Sequence, residues 1–161
     1  MLTQDLLNEL FSYDPETGDF RRKGGAHGNG KGSPKSYPKV AINGSSHSVH
    51  RLIWLLVYGE LPRGMFIDHV DGDRTNNRLS NLRLCTHAQN QLNRGVTRNN
   101  TTGFKGVRPS NGRFRADIQV DGRREYLGHF DTAREAAEEY DLHARRLHGQ
   151  FARTNEVMGL L

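Results

Sequence analysis

The residues whose types and spacing could do chemistry are concentrated between Met65 and Asn93. Asp68 and His69 close a short apolar run, which is typical of the end of a β-strand. Asp68 and Asn90 offer a carboxylate and an amide oxygen, the hard ligands that Mg²⁺ and Mn²⁺ prefer. His69, with an ordinary pKa of about 6.5, can accept a proton from water near neutral pH. Together these residues predict metal-assisted hydrolysis of a phosphodiester.

Two strands, a polar loop and a short helix must position these side chains. The loop at residues 70–78 is rich in Asp, Gly and Asn, which favour turns. A second strand is predicted at residues 82–84, and the pattern from Thr86 to Gln89 predicts the capping box that opens a helix. Neighbouring residues of a regular strand point to opposite faces, so a site that uses both Asp68 and His69 requires the strand to end there.

This stretch resembles the HNH homing endonucleases of the ββα-metal type, in the branch written D-H-x-D-G-x(4)-N-N-x(3)-N-L-R. The matching residues are Asp68, His69, Asp71, Gly72, Asn76, Asn77, Asn81, Leu82 and Arg83, followed by Cys85, Thr86 and Asn90. The resemblance implies that His69 is the general base, and that Asp68 and Asn90 bind one Mg²⁺ or Mn²⁺ ion per active site. It also implies that Asn81 ties down the loop and orients the histidine. Asn90 stands where other members have a final histidine, which makes the metal site oxygen-rich.

Other interpretations of the same residues are weaker. An EF-hand calcium loop requires a glutamate at its twelfth position, where this sequence has Leu79. A structural zinc site requires several cysteines, and the chain has only Cys85, so no structural zinc is predicted. Asn76 and Asn77 are predicted to be turn formers. His87 is predicted to be a surface residue of the capping turn, with a substrate contact as the alternative.

The composition favours several small modules and a polyanionic partner. Only 34% of the 161 residues are hydrophobic, which is too few for one large core. The net charge of +5 favours nucleic acid as the partner. The single cysteine excludes a disulfide framework, and we expect no secretory signal and no membrane span. These features predict a cytoplasmic protein, and the resemblance to HNH homing endonucleases implies a bacterial host and a gene carried by a phage or mobile element.

The chain before the motif predicts elements that support it. Residues 3–11 have the pattern of a short amphipathic helix capped by Thr3, and residues 19–23 predict a small strand. Residues 24–35 form a basic, Gly-rich loop that either lies on a phosphate backbone or is an ordinary solvated loop.

A hairpin and a buried helix come directly before the motif. Residues 37–49 predict two strands joined at Asn43-Gly44, a strong hairpin signal. The segment from His50 to Gly59 has the highest apolar density in the chain and predicts the core helix on which the nuclease module rests. His50 itself is predicted to pack in this core, with a role in the site as the alternative.

The chain after the motif predicts a three-stranded sheet with one helix. Turns at residues 110–112 and 121–122 separate the strands, and Arg113–Val120 alternates between apolar and polar residues. The helix begins at the capping box Thr132-x-x-Glu135 and ends near Gly149. Between Arg94 and Arg124 there are eight basic residues and two acidic ones, so the sheet is expected to face DNA.

This second half, residues 102–155, resembles the DNA-binding domain of the plant ethylene-response factors, the AP-two type. The matching residues are Phe104-Lys105-Gly106-Val107-Arg108, Tyr126-Leu127-Gly128-His129-Phe130-Asp131-Thr132, Glu135-Ala136-Ala137, Tyr140-Asp141, Gly149 and Asn155. The resemblance implies DNA contacts at Lys105, Arg108, Arg113, Arg115, Gln119 and Tyr126. Tyr126 replaces the usual Trp, Gln119 replaces an Arg, and Asn111 stands where a Trp would lie. The plant target sequence therefore does not transfer.

The predicted fold class is α+β. A small ββα-metal HNH nuclease module carries an N-terminal αβ segment and is followed by a C-terminal three-stranded antiparallel sheet packed on one helix. The predicted domains are residues 1–62 for the N-terminal segment and core helix, 63–93 for the nuclease motif, 94–102 for a linker, and 103–161 for the AP-two-like domain.

The predicted function is metal-dependent cleavage of double-stranded DNA at a recognised site. We expect a free-standing homing endonuclease that is monomeric and nicks one strand, with a dimer as the alternative. A second hypothesis is a sequence-specific DNA-binding regulator that keeps an inactive HNH fold. An RNA-directed protein is disfavoured because the basic stretches lack aromatic stacking platforms.

Overall fold

The computed structural model describes residues 2–24 and 36–161. The chain forms two compact units, Met1–His87 and Ala88–Leu161. The predicted basic loop at residues 24–35 lies outside the described residues, apart from Gly24. Among the described residues, no helix combines the length and the apolar character needed to cross a bilayer.

The first unit contains two helices and three two-stranded antiparallel sheets, among its described residues. Its elements are α1 (Gln4–Leu10), β1 (Phe11–Tyr13), β2 (Phe20–Arg22), β3 (Lys39–Ile42), β4 (Ser45–Ser48), α2 (Val49–Tyr58), β5 (Phe66–His69), a 3₁₀ turn (Leu79–Asn81) and β6 (Leu82–Cys85). The sheets pair β1 with β2, β3 with β4 and β5 with β6. The mixed helix and sheet composition agrees with the predicted α+β class.

Local sequence explains where these elements begin and end. The hydroxyl of Thr3 accepts a hydrogen bond from the Leu6 backbone N–H at 3.2 Å, which caps α1 as predicted. Asn43 and Gly44 both have positive φ, so they form the tight turn between β3 and β4. Gly59 ends α2 in the left-handed conformation.

The core of the first unit lies on α2. The predicted core helix is present, and its buried residues meet side chains from α1, β1, β2 and the β5–β6 sheet. Phe11 and Phe20 stack at a ring-centroid distance of 4.7 Å, which joins the first two strands to this core. The β5–β6 sheet therefore rests on α2 and on the N-terminal segment.

The second unit is a three-stranded antiparallel sheet covered by one long helix. Its elements are α3 (His87–Leu92), which begins at the unit boundary, β7 (Val107–Ser110), β8 (Arg113–Val120), β9 (Arg123–Phe130), α4 (Ala133–His148) and a 3₁₀ turn (Gly149–Phe151). The sheet order is β7-β8-β9. The first strand begins at Val107, because the chain turns at Gly106 with a positive φ.

Small residues bring α4 close to the sheet. Ala136, Ala137 and Ala144 are fully buried at 0% exposure. Gly106 comes so close that a Cβ there would lie 2.0 Å from a ring carbon of Tyr140, so only glycine fits. The capping box at the start of α4 forms as predicted, with the Thr132 hydroxyl and the Glu135 carboxylate each accepting a backbone N–H.

Candidate active site and nucleic-acid interface

Asp68 lies opposite Arg83 in the register of β5 and β6. The Nε and Nη2 groups of Arg83 donate to Oδ2 of Asp68 at 3.1 and 2.8 Å. Both side chains are largely buried, so this charge-assisted pair is shielded from solvent. Arg83 therefore fixes the orientation of the carboxylate that the sequence predicts as a metal ligand.

His69 is the last residue of β5 and is 3% exposed. Its Nε2 lies 3.1 Å from Oδ1 of Asn77, whose Nδ2 donates to the carbonyl of Thr75 at 3.4 Å. An amide oxygen can only accept, so Nε2 carries the hydrogen and Nδ1 of the neutral ring carries the lone pair. Burial lowers the pKa of His69, while the hydrogen bond to Asn77 and the charges of Asp71 and Asp68 act in the opposite direction. The ring is therefore neutral at neutral pH and able to act as a base.

A second histidine packs against the first. The ring of His50 meets His69 edge-on at a centroid distance of 5.2 Å, and Tyr37 lies 4.6 Å from His50. His50 is buried, and its Nδ1 has no hydrogen-bond partner among the described residues. Burial lowers the pKa of His50 to about 3, with further lowering from the charges of His69 and Arg51. His50 is thus a neutral packing residue that also contacts the catalytic candidate.

Asn81 organises the polar loop between β5 and β6. Its Nδ2 donates to Oδ1 of Asp71 at 2.9 Å and to the carbonyl of Asn76 at 2.8 Å, while its Oδ1 accepts from the Asp71 N–H. The resemblance assigned loop closure and histidine orientation to Asn81. The structure places Asn81 on the loop and places Asn77 against His69, whereas the sequence predicted only a turn role for Asn77.

The turn between β1 and β2 packs on this loop. The hydroxyl of Tyr13 donates to the backbone carbonyl of Asn77 at 2.8 Å, and Nε of Arg78 donates to the carbonyl of Glu16 at 2.9 Å. Gly18 has φ +77°, and a Cβ there would lie 2.6 Å from the backbone nitrogen of Arg78. The N-terminal segment therefore supports the residue that holds His69. No pattern in the sequence indicated this contact.

The predicted metal ligands are Asp68 and Asn90. Asn90 lies on α3, which belongs to the second unit apart from its first residue, so the pairing stays a prediction. A carboxylate held at the end of a strand and an amide oxygen have the chemistry that suits a hard divalent ion. In the described residues, no group of three or more His, Cys, Asp or Glu side chains is arranged around a metal position.

Two of the predicted DNA-binding arginines are held by one buried carboxylate in the second unit. Nε of Arg108 lies 2.9 Å from Oδ2 of Asp117, and Nη2 of Arg115 lies 2.7 Å from Oδ1. Strands β7 and β8 place Arg108 beside Arg115. Asp117 was predicted on the polar face, and it is buried there because the two arginines cover it.

The aromatic candidate Tyr126 joins this surface. The guanidinium of Arg115 lies 4.7 Å from the centre of the Tyr126 ring. The Tyr126 hydroxyl lies 2.6 Å from Nδ1 of His129, whose Nε2 lies 3.0 Å from Oγ of Ser110. His129 and Ser110 are surface residues that the sequence did not mark as candidates for DNA contact. Arg108, Arg113, Arg115, Gln119, Tyr126, His129 and Ser110 define what we call the sheet face.

The remaining candidates differ in their surroundings. Arg113 pairs with Asp131 at 2.8 Å in an exposed ion pair, and Gln119 is exposed at the far end of β8. Lys105 departs from the prediction of a DNA contact. Its ammonium donates to the backbone carbonyls of Leu92 and Arg153 at 2.7 and 3.1 Å, so it is bound within the second unit.

Comparisons with known proteins agree with the nuclease motif. Residues 47–92 match the family described as HNH endonuclease. A protein of Acanthamoeba polyphaga mimivirus, named an uncharacterized HNH endonuclease, is 34% identical over 123 residues, covering 75% of this chain and 63% of that protein. This chain therefore spans less than two thirds of the length of the mimivirus protein.

Two further relatives cover different shares of the chain. Protein 3.8 of Escherichia phage T7 is 36% identical over 106 residues, covering 65% of this chain and 87% of the phage protein. An ethylene-responsive transcription factor of Arabidopsis thaliana is 51% identical over 61 residues, covering 36% of this chain and 24% of the plant protein. The match of residues 47–92 shows an HNH endonuclease domain in this part of the chain, and the similarity to the mimivirus protein agrees with it.

Proposed function

We propose that this protein is a metal-dependent endonuclease that hydrolyses a phosphodiester bond at a recognised site in double-stranded DNA. The observation that carries the proposal is the buried His69 at the end of β5, with Asn77 on its Nε2 and Asp68 beside it in sequence. Any buried histidine needs an acceptor for its N–H. Here the acceptor is an amide oxygen, which places the hydrogen on Nε2 and so supports a neutral ring that can accept a proton at Nδ1.

His69 acts as the general base through Nδ1. It takes a proton from water as the water oxygen attacks phosphorus, and the products carry a 5′-phosphate and a 3′-hydroxyl. After proton transfer, the Nε2–H still donates to Asn77, and the nearby charge of Asp71 favours the imidazolium. The buried ring of His50 and the half-buried ring of Tyr37 restrict rotation of His69.

A Mg²⁺ or Mn²⁺ ion held by Asp68 and Asn90 would stabilise negative charge on the scissile phosphate and on the leaving oxygen. Arg83 contributes by holding the Asp68 carboxylate in one orientation through two N–H donors. Asn81 contributes by keeping the loop after His69 closed on Asp71.

The sheet face supplies DNA recognition in this proposal. A sheet or a two-stranded ribbon fits the major groove, where arginine recognises guanine. Arg108 and Arg115 suit this task because Asp117 restrains both guanidinium groups before DNA binds, which lowers the entropic cost of ordering them. The resemblance of residues 102–155 to the AP-two domain supports the same face.

Residues 2–24 and 36–161 contain one candidate active site, centred on His69, which supports a nick by a monomer. Two chains acting together would give a double-strand break. The viral origin of two relatives supports a gene carried by a phage or mobile element. The resemblance of the motif at residues 68–90 to homing endonucleases supports a free-standing homing role.

The test is cleavage of supercoiled plasmids that carry DNA from candidate hosts, with Mg²⁺ or Mn²⁺ and with EDTA. We compare the wild type with His69→Ala and with His47→Ala, a histidine of β4 in the same unit. Open-circular product that requires metal and His69, but not His47, supports the proposal. Equal cutting by His69→Ala would remove the catalytic assignment, and linear product as the first species would contradict a monomeric nick.

A further inference from the structure

Lys105 connects the end of α3 to the C-terminal segment inside the second unit. Its Nζ donates to the carbonyl of Leu92, the last residue of α3, at 2.7 Å and to the carbonyl of Arg153 at 3.1 Å. Carbonyl groups at a helix C-terminus lack partners within the helix and attract positive charge. The lysine therefore satisfies an acceptor that would otherwise need water.

A second contact reinforces the first. Nη1 of Arg153 donates to the carbonyl of Asn93, directly after α3, at 3.3 Å. The last residue of α3 and the residue that follows it are thus each held by a cation.

The backbone of Lys105 is itself fixed by a buried polar network. The Lys105 N–H donates to Oδ1 of Asn155 at 2.6 Å, and Nδ2 of Asn155 donates to the Lys105 carbonyl at 3.2 Å. Asn155 also donates from Nδ2 to Asp141 of α4 at 2.8 Å, and both residues are almost fully buried. Satisfied buried networks are rigid, so Lys105 has a fixed base from which to hold α3.

Helix α3 needs such support. It has six residues, none of them fully buried, and a helix of this length is not stable in water by itself. Burial lowers the pKa of Lys105 to about 8, with the charge of Arg153 adding to the effect and Asp141 opposing it. The ammonium is therefore still protonated at neutral pH, where it donates to both carbonyls.

We propose that Lys105 is a positioning residue that fixes α3, and with it Asn90, to the rest of the second unit. The proposal rests on the proposed function, in which Asn90 is a metal ligand and the sheet face binds DNA. In this arrangement, Lys105 affects metal use and cleavage while leaving DNA affinity unchanged. A lysine that contacts phosphate has the opposite signature. Its loss weakens DNA binding and reduces the slope of log binding constant against log salt concentration by about one.

The experiment compares Lys105→Met with Arg146→Met, which removes a cation from an exposed position of α4. Amide hydrogen exchange of α3 is measured without metal or DNA, and DNA affinity is measured in EDTA over a range of salt concentrations. Lys105→Met is expected to speed exchange in α3 about tenfold or more, with β8 still protected and DNA affinity within about twofold of wild type. Arg146→Met is expected to leave exchange in α3 unchanged.

Cleavage supplies a third readout. The metal concentration for half-maximal cutting is expected to rise about tenfold in Lys105→Met, because Asn90 is then held less firmly. If Lys105→Met melts as a whole, Arg153→Met takes its place, since it removes only the contact to Asn93. Unchanged α3 exchange together with weaker, less salt-dependent DNA binding would overturn the proposal. If the wild type cuts no DNA, the proposed function fails, while the exchange result still decides the positioning role.

Discussion

The Oδ1 atom of Asn77 lies 3.1 Å from Nε2 of His69, and both side chains are buried. The amide cannot rotate freely, because its Nδ2 donates to the Thr75 carbonyl and the backbone carbonyl of Asn77 accepts from Tyr13. This one contact assigns the tautomer of the candidate base, with the hydrogen on Nε2. It also makes Asn77 the residue through which the chemistry of His69 can be altered.

Replacing Asn77 by aspartate is expected to raise the pKa of His69. Burial lowers that pKa below 6.5 in the wild type, so the base stays unprotonated and cleavage persists below about pH 6.5. A carboxylate next to Nε2 favours the imidazolium, so the acidic limb of the pH profile moves to higher pH. The measurement is kcat/KM for cleavage as a function of pH.

Asn77→Ala provides the comparison, since it removes the contact without adding charge. It is expected to lower kcat by roughly tenfold to a hundredfold, with little change in DNA affinity. The same substitution at the neighbouring Asn76 is expected to have a smaller effect. Identical acidic limbs in wild type and Asn77→Asp would show that His69 is not the titrating base.

Gly18 and Gly44 give a matched pair for the support of the loop. Both have φ +77°, but a Cβ at Gly18 would meet the backbone of Asn77 and Arg78, while a Cβ at Gly44 would meet no atom of the described part of the chain within 4 Å. Gly44→Ala is expected to cost only the left-handed backbone strain, about 1–2 kcal/mol of unfolding free energy. Gly18→Ala is expected to lower the free energy of unfolding by more than Gly44→Ala does, and to reduce cleavage. Denaturant titration gives both values, and equal costs would argue against the packing contact.

Arg108 and Arg115 are expected to dominate DNA binding by the sheet face. Alanine at either position removes a restrained guanidinium and is expected to weaken binding in EDTA by about 1–3 kcal/mol. Arg134→Ala is the control. Arg134 is an exposed residue of α4, and its ion pair with Glu138 lies on the helix and not on the sheet face. Fluorescence anisotropy with duplex DNA measures the affinities. Similar affinities for all three variants would exclude the sheet face as the binding surface.

His50 is expected to make the protein sensitive to acid. Its folded-state pKa of about 3 lies below the ordinary value of 6.5, so the unfolded chain takes up a proton first as the pH falls. Stability is therefore fully present above about pH 6.5 and is lost progressively towards about pH 3. His50→Gln removes this contribution and is expected to flatten the pH dependence of Tm between about pH 7 and pH 4. His47→Gln is the control, and an unchanged pH dependence in His50→Gln would contradict the assignment.

The sequence by itself determined the elements and the motif. The apolar density of α2, the Asn43-Gly44 turn, the alternation of β8 and the capping box at Thr132 are local signals, set by backbone preference and by the hydrophobic period. Structure agrees with each of them. The family motif likewise lies within one continuous stretch of the chain, so Asp68, His69 and Asn81 could be singled out without coordinates.

Only the tertiary structure decided which side chains meet. Asn76 and Asn77 are the same residue type in neighbouring positions, and the path of the loop alone turns Asn77 towards His69. Lys105 is of a residue type that commonly contacts DNA, yet the fold of the second unit brings its ammonium to the end of α3. Such contacts join residues far apart in the chain, and they follow from packing and hydrogen-bond closure that no local pattern of residues encodes.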